Sequence, residues 1–478
     1  MATSLRVLTL NCWGLKYLAK YRNERLSQIG TEIASQDPPP AIVALQECWT
    51  QQDYNAIRER TEHMLPYGKF YWSGIFGGGL AILSQWPIEE SKMVRYALNG
   101  RPTAFFRGDW FVGKGVACAK IRIGDGPERG RVVAVFSTHL HAPYETEPND
   151  SYICHRTAQA WEIAGLMRTA YAKGQIVLAM GDFNMIPLSL AHKIVETHGR
   201  ASDAWRLHHP DSSIGAAIDA VEKTRGVPIP DAAYNLTVNG ATCDSVLNTW
   251  RWNKGQQKRL TKGETVTIDL STKDPRAKRL DYIFFADALK EYSVTSVNVG
   301  MTMRHPTLQT SLSDHFSVEA TLEKTEKSRF TDNPQQLANM LLSGELDRSN
   351  YLPVETYDSI LAMITNYDAR ERRQRRLRLS HFGLQLTMAI GCLVAVWWSP
   401  RNYVAFLLML LSTLGLSAGV IDGLIGGLFV GSELRALKEF EWDIRNARGV
   451  ATAREPLTSG NVDDSGENKP EDVNGNNV

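Results

Sequence analysis

Cysteine is scarce and unpatterned in this chain: six in 478 residues (Cys12, Cys48, Cys118, Cys154, Cys243, Cys392), with no CxxC spacing and no His-rich run beside them. That excludes a zinc-finger or disulfide framework and favours reduced thiols in a cytosolic domain. A charge excess is missing too. Lys and Arg number 53 against 52 Asp and Glu, a formal net charge of +1, so bulk attraction to nucleic acid is not expected. The opening "MATSLRVLTLNCWG" passes directly into a strand-like pattern, so no cleaved leader is expected. The length exceeds what one compact core requires and predicts one large domain with appendages.

Up to about Lys324, apolar runs alternate with amphipathic segments. "RVLTLNCW", "AIVALQEC", "GLAILSQW", "GVACAKIRI", "RVVAVFSTHL", "QIVLAMGDF", "LDYIFF" and "FSVEATLE" read as strands, being short, rich in β-branched residues and bounded by Gly, Pro or Asp. Helical spacing fits Asn23 to Gln36, Tyr54 to Met64 and Thr157 to Lys173. Many strands with few helices between them predict a layered α/β sandwich. Beyond residue 324 the chain turns polar and helix-prone and then basic, with six arginines between Arg370 and Arg378. Two apolar stretches follow, Phe382 to Trp398 and Val404 to Val430, separated by "SPRNY". Each approaches the ~20 residues that cross a bilayer as helix, and the arginines mark the adjoining side as cytoplasmic. The expected division is a phosphodiesterase domain over 1–324, a helical Arg-rich linker over 325–380, a transmembrane hairpin over 381–431, a further helix over 432–454 and a tail lacking order over 455–478. Asp422 falls inside the second span, where a charge must be neutralised, packed against the partner helix or put to use.

Polar residues recur where the expected strands end. Asn11 ends "RVLTLN", Glu47 follows "AIVALQ", His139 ends "VVAVFSTH", Asp182 and Asn184 follow "QIVLAM", Asp281 opens "DYIFF", and Asp314 with His315 precedes "FSVEAT". Singly each reads as a cap or turn residue. Together, acids, amides and imidazoles without a nucleophilic Ser or Cys are the groups that metal-assisted hydrolysis of a phosphodiester needs.

The series "LNCWG", "LQECW", "STHLHAP", "GDFN", "LDYIF" and "SDHF" resembles the endonuclease/exonuclease/phosphatase superfamily, with its deoxyribonuclease I-like fold. More narrowly, "GGGLAILSQWPI" and "GATCDSVLNTW" are similar to the neutral sphingomyelinases and fungal inositol phosphosphingolipid phospholipases C. The resemblance implies a four-layer α/β sandwich of two packed mixed sheets, followed by the C-terminal helical hairpin. It implies Mg2+, with Mn2+ as a substitute, held principally by Glu47 with Asn11 at or beside the ion and Asp314 in support. His315 would be the general base, Asp281 would orient it, Asp182 and Asn184 would hold the attacking water and a phosphate oxygen, and His139 would donate to the phosphate. The duties of Asp182 and His315 are interchangeable at this point. His141, two residues on, reads either as a site residue or as part of the "HAPY" turn. The implied substrate is a phosphosphingolipid, cleaved to ceramide and a phosphorylated head group whose identity would be set within Ser202 to Asp274.

Three other stretches carry expectations. "GIFGGGL" lacks the Gly-Lys-Ser/Thr ending of a nucleotide loop and reads as a turn. In "RGDWFVGKGVA", Asp109 and Lys114 match an Asp–Lys spacing of the same family and would form a lipid-sensitive switch or, more plainly, a surface ion pair. The nearby Phe105, Phe106, Trp110 and Phe111 read as bilayer-inserting or as core. Arg372, Arg373, Arg375 and Arg376 would contact an anionic phospholipid such as phosphatidylserine or cardiolipin, acting as an activator. The expected setting is an intracellular membrane, endoplasmic reticulum or mitochondrial, with the catalytic domain and C-terminus cytoplasmic. No nucleic-acid partner is expected, and a homodimer is compatible with this arrangement. The rival readings are a tethered nuclease or inositol polyphosphate phosphatase of the same superfamily, and a non-catalytic membrane scaffold.

Overall fold

A computed structural model of the chain describes residues 4–124, 130–145, 150–264, 266–325 and 351–453. The expected tail over 455–478, and residues 326–350 of the expected linker, lie outside these. Two six-stranded sheets dominate the first 324 residues. Across the first run β11 (Tyr292–Gly300), β12 (Ser317–Lys324), β1 (Ser4–Asn11), β2 (Ile42–Gln46), β4 (Leu80–Ser84) and β3 (Tyr67–Tyr71). The second has β5 (Ile88–Arg95), β6 (Gly115–Arg122), β7 (Val132–His139), β8 (Ile176–Asp182), β10 (Asp281–Asp287) and β9 (Ser202–Asp203). Both are mixed, since β1 pairs parallel with β2 but antiparallel with β12, and β8 pairs parallel with β7 but antiparallel with β10.

The period-two geometry of a strand explains the apolar runs, because each inner strand is buried on both faces. Leu5, Val7, Ile42, Ala44, Ala117, Ala119, Val133, Val135, Leu178 and Met180 point into the core between the sheets. The alternate residues Leu8, Leu10, Val43 and Leu45 face α1 (Arg22–Ala34) and α2 (Gln51–Thr61). On the far side, Val116, Ala134, Phe136, Val177 and Ala179 face α3 (Ile153–Ala172) and α4 (Leu190–Gly199). The result is the four-layer sandwich expected. The three expected helices are all present, each beginning earlier than its apolar spacing suggests. For α2 the cause is a capping box, in which Thr50 and Asp53 each accept the other's backbone N–H. Short helices α5 (Ala204–His208), α6 (Ala220–Lys223), α7 (Ala232–Thr237) and α8 (Lys254–Thr261) fill the excursion between β9 and β10.

Among the described residues three long helices follow: α9 (Val354–Ala395), α10 (Asn402–Leu424) and α11 (Val430–Thr452), the last two joined by a π-helical turn, Ile425–Phe429. Two helical stretches, Val354–Trp398 and Asn402–Thr452, are long and apolar enough to cross a membrane by length and composition. The arginine run lies within α9 itself, so basic segment and first apolar stretch are one continuous helix. α9 and α10 approach closely; a Cβ added at Gly419 would sit 2.7 Å from the Gln385 Cβ. Asp422 is neutralised by the partner helix, pairing with Arg378 and with His381 (2.8 Å). At the other end Tyr357, Ile360 and Ile364 of α9 and Leu437, Phe440 and Ile444 of α11 join the core built on α3. Full burial of side chains of this size contributes about 1.5–3 kcal/mol each, so α9 and α11 pack as part of the sandwich body.

Candidate active site

The strand ends named above meet at one edge of the sandwich because the register forces them together. In the parallel pair β7/β8, His139 stands opposite Asp182; in the antiparallel pair β8/β10, Asp182 stands opposite Asp281. Asn11 ends β1 beside Gln46, which brings Glu47 into reach. The side chains then link up. Asn11 Nδ2 donates to Glu47 Oε1 (3.2 Å) and to Asp182 Oδ2 (3.0 Å), bridging the two sheets. His315 Nδ1 bonds Asp281 Oδ2 at 2.8 Å, which leaves Nε2 facing Asp182 Oδ2 at 3.9 Å. His139 Nε2 lies 3.5 Å from that same oxygen. Asn184 donates its backbone N–H to Asp182 Oδ1 (2.9 Å) and its amide to the Leu140 carbonyl (3.0 Å).

Local backbone conformations support this cluster. Glu47 (φ 53°) and Asn184 (φ 46°) both adopt the left-handed region, a cost of about 1–3 kcal/mol each that the surrounding packing sustains. At Gly181 a Cβ would lie 2.0 Å from the Thr138 carbonyl oxygen, so the residue before Asp182 has to be glycine. Ser313 donates to the Asn11 carbonyl (2.5 Å), and Thr242 Oγ1 accepts from the N–H groups of Leu280 (3.2 Å) and Asp281 (3.4 Å). Nothing in the sequence marks these supporting residues, although "GATCDSVLNTW" contains Thr242 and Asn248, whose amide donates to the Ser313 carbonyl (3.0 Å).

Burial sets the electrostatics. It raises the Glu47 carboxyl, with Asp314 adding to the effect and Asn11 opposing it. It also pushes Asp182 up to about 7, although His315 pulls the other way. Burial alone would lower His315, but Asp281, Cys243 and Asp182 carry it well above an ordinary histidine. His139 goes the opposite way, driven far down by burial and then by Lys114 and His315, and is neutral. Several polar atoms here are buried without a hydrogen-bond partner: Glu47 Oε2, Asp281 Oδ1 and His139 Nδ1. Unsatisfied buried carboxylate oxygens are what a hard divalent cation would occupy. Asp182, Asp281 and His315 also offer ligand atoms within 4.8 Å of one another. The residues present therefore fit a divalent metal.

The remaining expectations distribute around this cluster. Lys114 is buried and donates to the carbonyls of His139 (3.3 Å) and Leu140 (3.2 Å), while Asp109 accepts from the Tyr144 hydroxyl (2.9 Å) and lies 3.8 Å from His141. His141 itself stacks on Tyr152, 4.8 Å between centroids. Arg372 pairs with Asp368 (2.6 Å), and Arg372 and Arg375 line a cleft of about 370 Å³ together with Arg435 and Lys438 of α11.

A family model described as "Endonuclease/Exonuclease/phosphatase family" matches residues 8–315. The chain belongs to this family. It is 37% identical over 451 residues to the inositol phosphosphingolipids phospholipase C of Schizosaccharomyces pombe, covering 94% of this chain and 95% of that one. To the Saccharomyces cerevisiae protein of the same name it is 31% identical over 477 residues, covering 93% and 90%. Among solved structures, the sphingomyelinase C of Streptomyces griseocarneus aligns at 17% identity with a TM-score of 0.42, over 67% of this chain and 99% of that one. The matched span of this family member starts within β1 and ends on His315, so it takes in the whole hydrogen-bonded cluster from Asn11 to His315.

Proposed function

We propose that the protein is a membrane-anchored, Mg2+-dependent phospholipase C that hydrolyses phosphosphingolipids to ceramide and a phosphorylated head group. The observation carrying this reading is the unbroken chain Glu47–Asn11–Asp182, with His139 and the His315–Asp281 pair converging on the Asp182 carboxylate. The names of the relatives supply the substrate class.

Glu47 and Asn11 would hold the metal, with Asp314 in support. A bound divalent ion supplies charge neutralisation for the phosphate and the leaving alkoxide, and offsets the carboxylates that keep a proton on His315. His315 takes the proton of the attacking water at Nε2, the nitrogen left free by its bond to Asp281. Asp281 fixes the tautomer and balances the imidazolium that forms. Asp182 and Asn184 orient the water and a non-bridging oxygen, and neutral His139 donates to the phosphate as charge builds on it. Asp109 and Lys114 form a lipid-responsive element through the carbonyls that Lys114 holds at His139 and Leu140. The basic cleft takes an anionic phospholipid. The hairpin opens to the cytoplasm at both ends, on an intracellular membrane.

Ceramide release by the purified full-length protein from sphingomyelin and inositol phosphoceramide, in mixed micelles with and without phosphatidylserine, tests the reading. Release should need Mg2+ and vanish with a chelator. Faster nicking of plasmid DNA than lipid cleavage, or chelator-resistant release, would overturn it.

A further inference from the structure

The site is flanked by two loops that hydrogen-bond to each other and carry large apolar side chains in the open. From the loop after β3, Trp72 is 71%, Ile75 71% and Phe76 60% exposed; from the loop after β5, Phe106 is 75% exposed. Single exposed apolar residues need no explanation, but a contiguous set does. The two loops are joined directly. Ile75 and Phe76 donate their N–H groups to the Phe111 carbonyl (3.2 and 3.3 Å), Gly113 donates to Gly77 (3.1 Å), and the Phe76 and Phe111 rings lie 5.7 Å apart.

This edge has two neighbours. On one side Gly79 packs against Glu47 Cα and the Trp49 ring, and Cys48 donates to the Gly79 carbonyl (3.0 Å), which puts the edge beside the candidate metal residues. On the other side Trp110 stacks on Phe429 at 4.4 Å, and Arg378 donates to the Thr103 carbonyl (2.9 Å). Phe429 ends the π-helical turn that closes the second apolar stretch, and Arg378 pairs with Asp422 inside that stretch. The exposed aromatics thus continue the apolar surface of the hairpin as far as the mouth of the site.

We infer that the edge formed by residues 72–76 and 105–111 inserts into the leaflet in which the hairpin is rooted, so that the site takes lipid from its own membrane. Aromatic and aliphatic side chains at this depth suit the head-group boundary, where one side is apolar and the other wet. The inference rests on the membrane-spanning reading of the hairpin and is independent of which lipid is cleaved.

Depth measurement tests it. The full-length protein, with Cys392→Ser, is placed in nanodiscs containing a phospholipid that bears a nitroxide near its head group. A bimane probe is attached in turn at Ile75→Cys, Phe106→Cys, Val394→Cys in the hairpin and Tyr67→Cys at the opposite end of β3 from Trp72. The expected result is loss of most emission at 75, 106 and 394 and none at 67. Quenching at 394 alone overturns the inserted edge while the hairpin reading stands; no quenching at 394 overturns both.

Discussion

Strand β10 has a buried aspartate on each neighbouring strand, and the two are treated in opposite ways. Asp203, on β9, has both carboxylate oxygens within reach of Arg279 (2.9 and 2.7 Å), accepts the Trp205 N–H (2.9 Å) and meets His192 at 3.1 Å. Burial would raise its pKa, but Arg279 and His192 outweigh burial and bring it down to about 2. Asp182, on β8, is equally buried and receives only an amide and a backbone N–H, with the two imidazoles farther off. Its carboxyl rises to about 7. The same side chain, in the same sheet, is held ionised where a guanidinium compensates it and is pushed toward its protonated form where none does.

Exchanging these two environments is the sharpest way to break the contrast. Asp182→Asn should lower kcat by about 10²- to 10³-fold, the range for losing a preorganised polar group at the reacting atoms, while the urea midpoint of the full-length protein stays level or rises. Parallel loss of stability would return Asp182 to the structural class. Asp203→Ala should do the reverse: stranding Arg279 in the interior costs about 3–5 kcal/mol, read by urea titration followed through tryptophan fluorescence. Acid sharpens the comparison further. Because the folded-state pKa of Asp203 is depressed from 3.8 to about 2, its stabilisation is complete above pH 4 and disappears as pH falls through that interval. The loss should amount to about 2 kcal/mol in wild type and be absent in Asp203→Ala. The smallest change is expected from His192→Gln, which removes one partner of Asp203 and leaves Arg279; about 1.5 kcal/mol of stability and little activity should go.

The same logic of burial decides what could be read in advance. All eight strands expected from apolar runs are inner strands; seven are apolar on both faces, and β12 is apolar on its core face alone, with Glu319 and Thr321 on the other. The four others, β3, β5, β9 and β11, lie at the four sheet edges, where half the residues face solvent; "IEESKMVR" of β5 has no apolar run to betray it. The site was legible for a related reason: a polar residue ending a fully apolar strand has to be accounted for, and Asn11, Glu47, His139, Asp182 and Asp281 all declare themselves that way. Thr242 and Ser313 do not, since a lone hydroxyl in a loop gives no sign that it braces Asn11 or Asp281 from beneath. Nor does the sequence reveal that α9 and α11 fasten onto α3 as well as carrying the hairpin. That depends on which face of a long helix finds a partner, and the apolar residues Tyr357, Ile360 and Ile364 look the same whether that partner is lipid or protein.

The uninterrupted run of α9 from Val354 to Ala395 has a mechanical corollary. A span of fixed length answers a thinner bilayer by leaning. On the membrane-spanning reading proposed above, no hinge separates the part gripped by α3 from the part in the hydrocarbon, so the sandwich would lean by the same angle. On that reading bilayer thickness becomes a steering variable, swinging the candidate site toward or away from the lipid plane without any molecule binding.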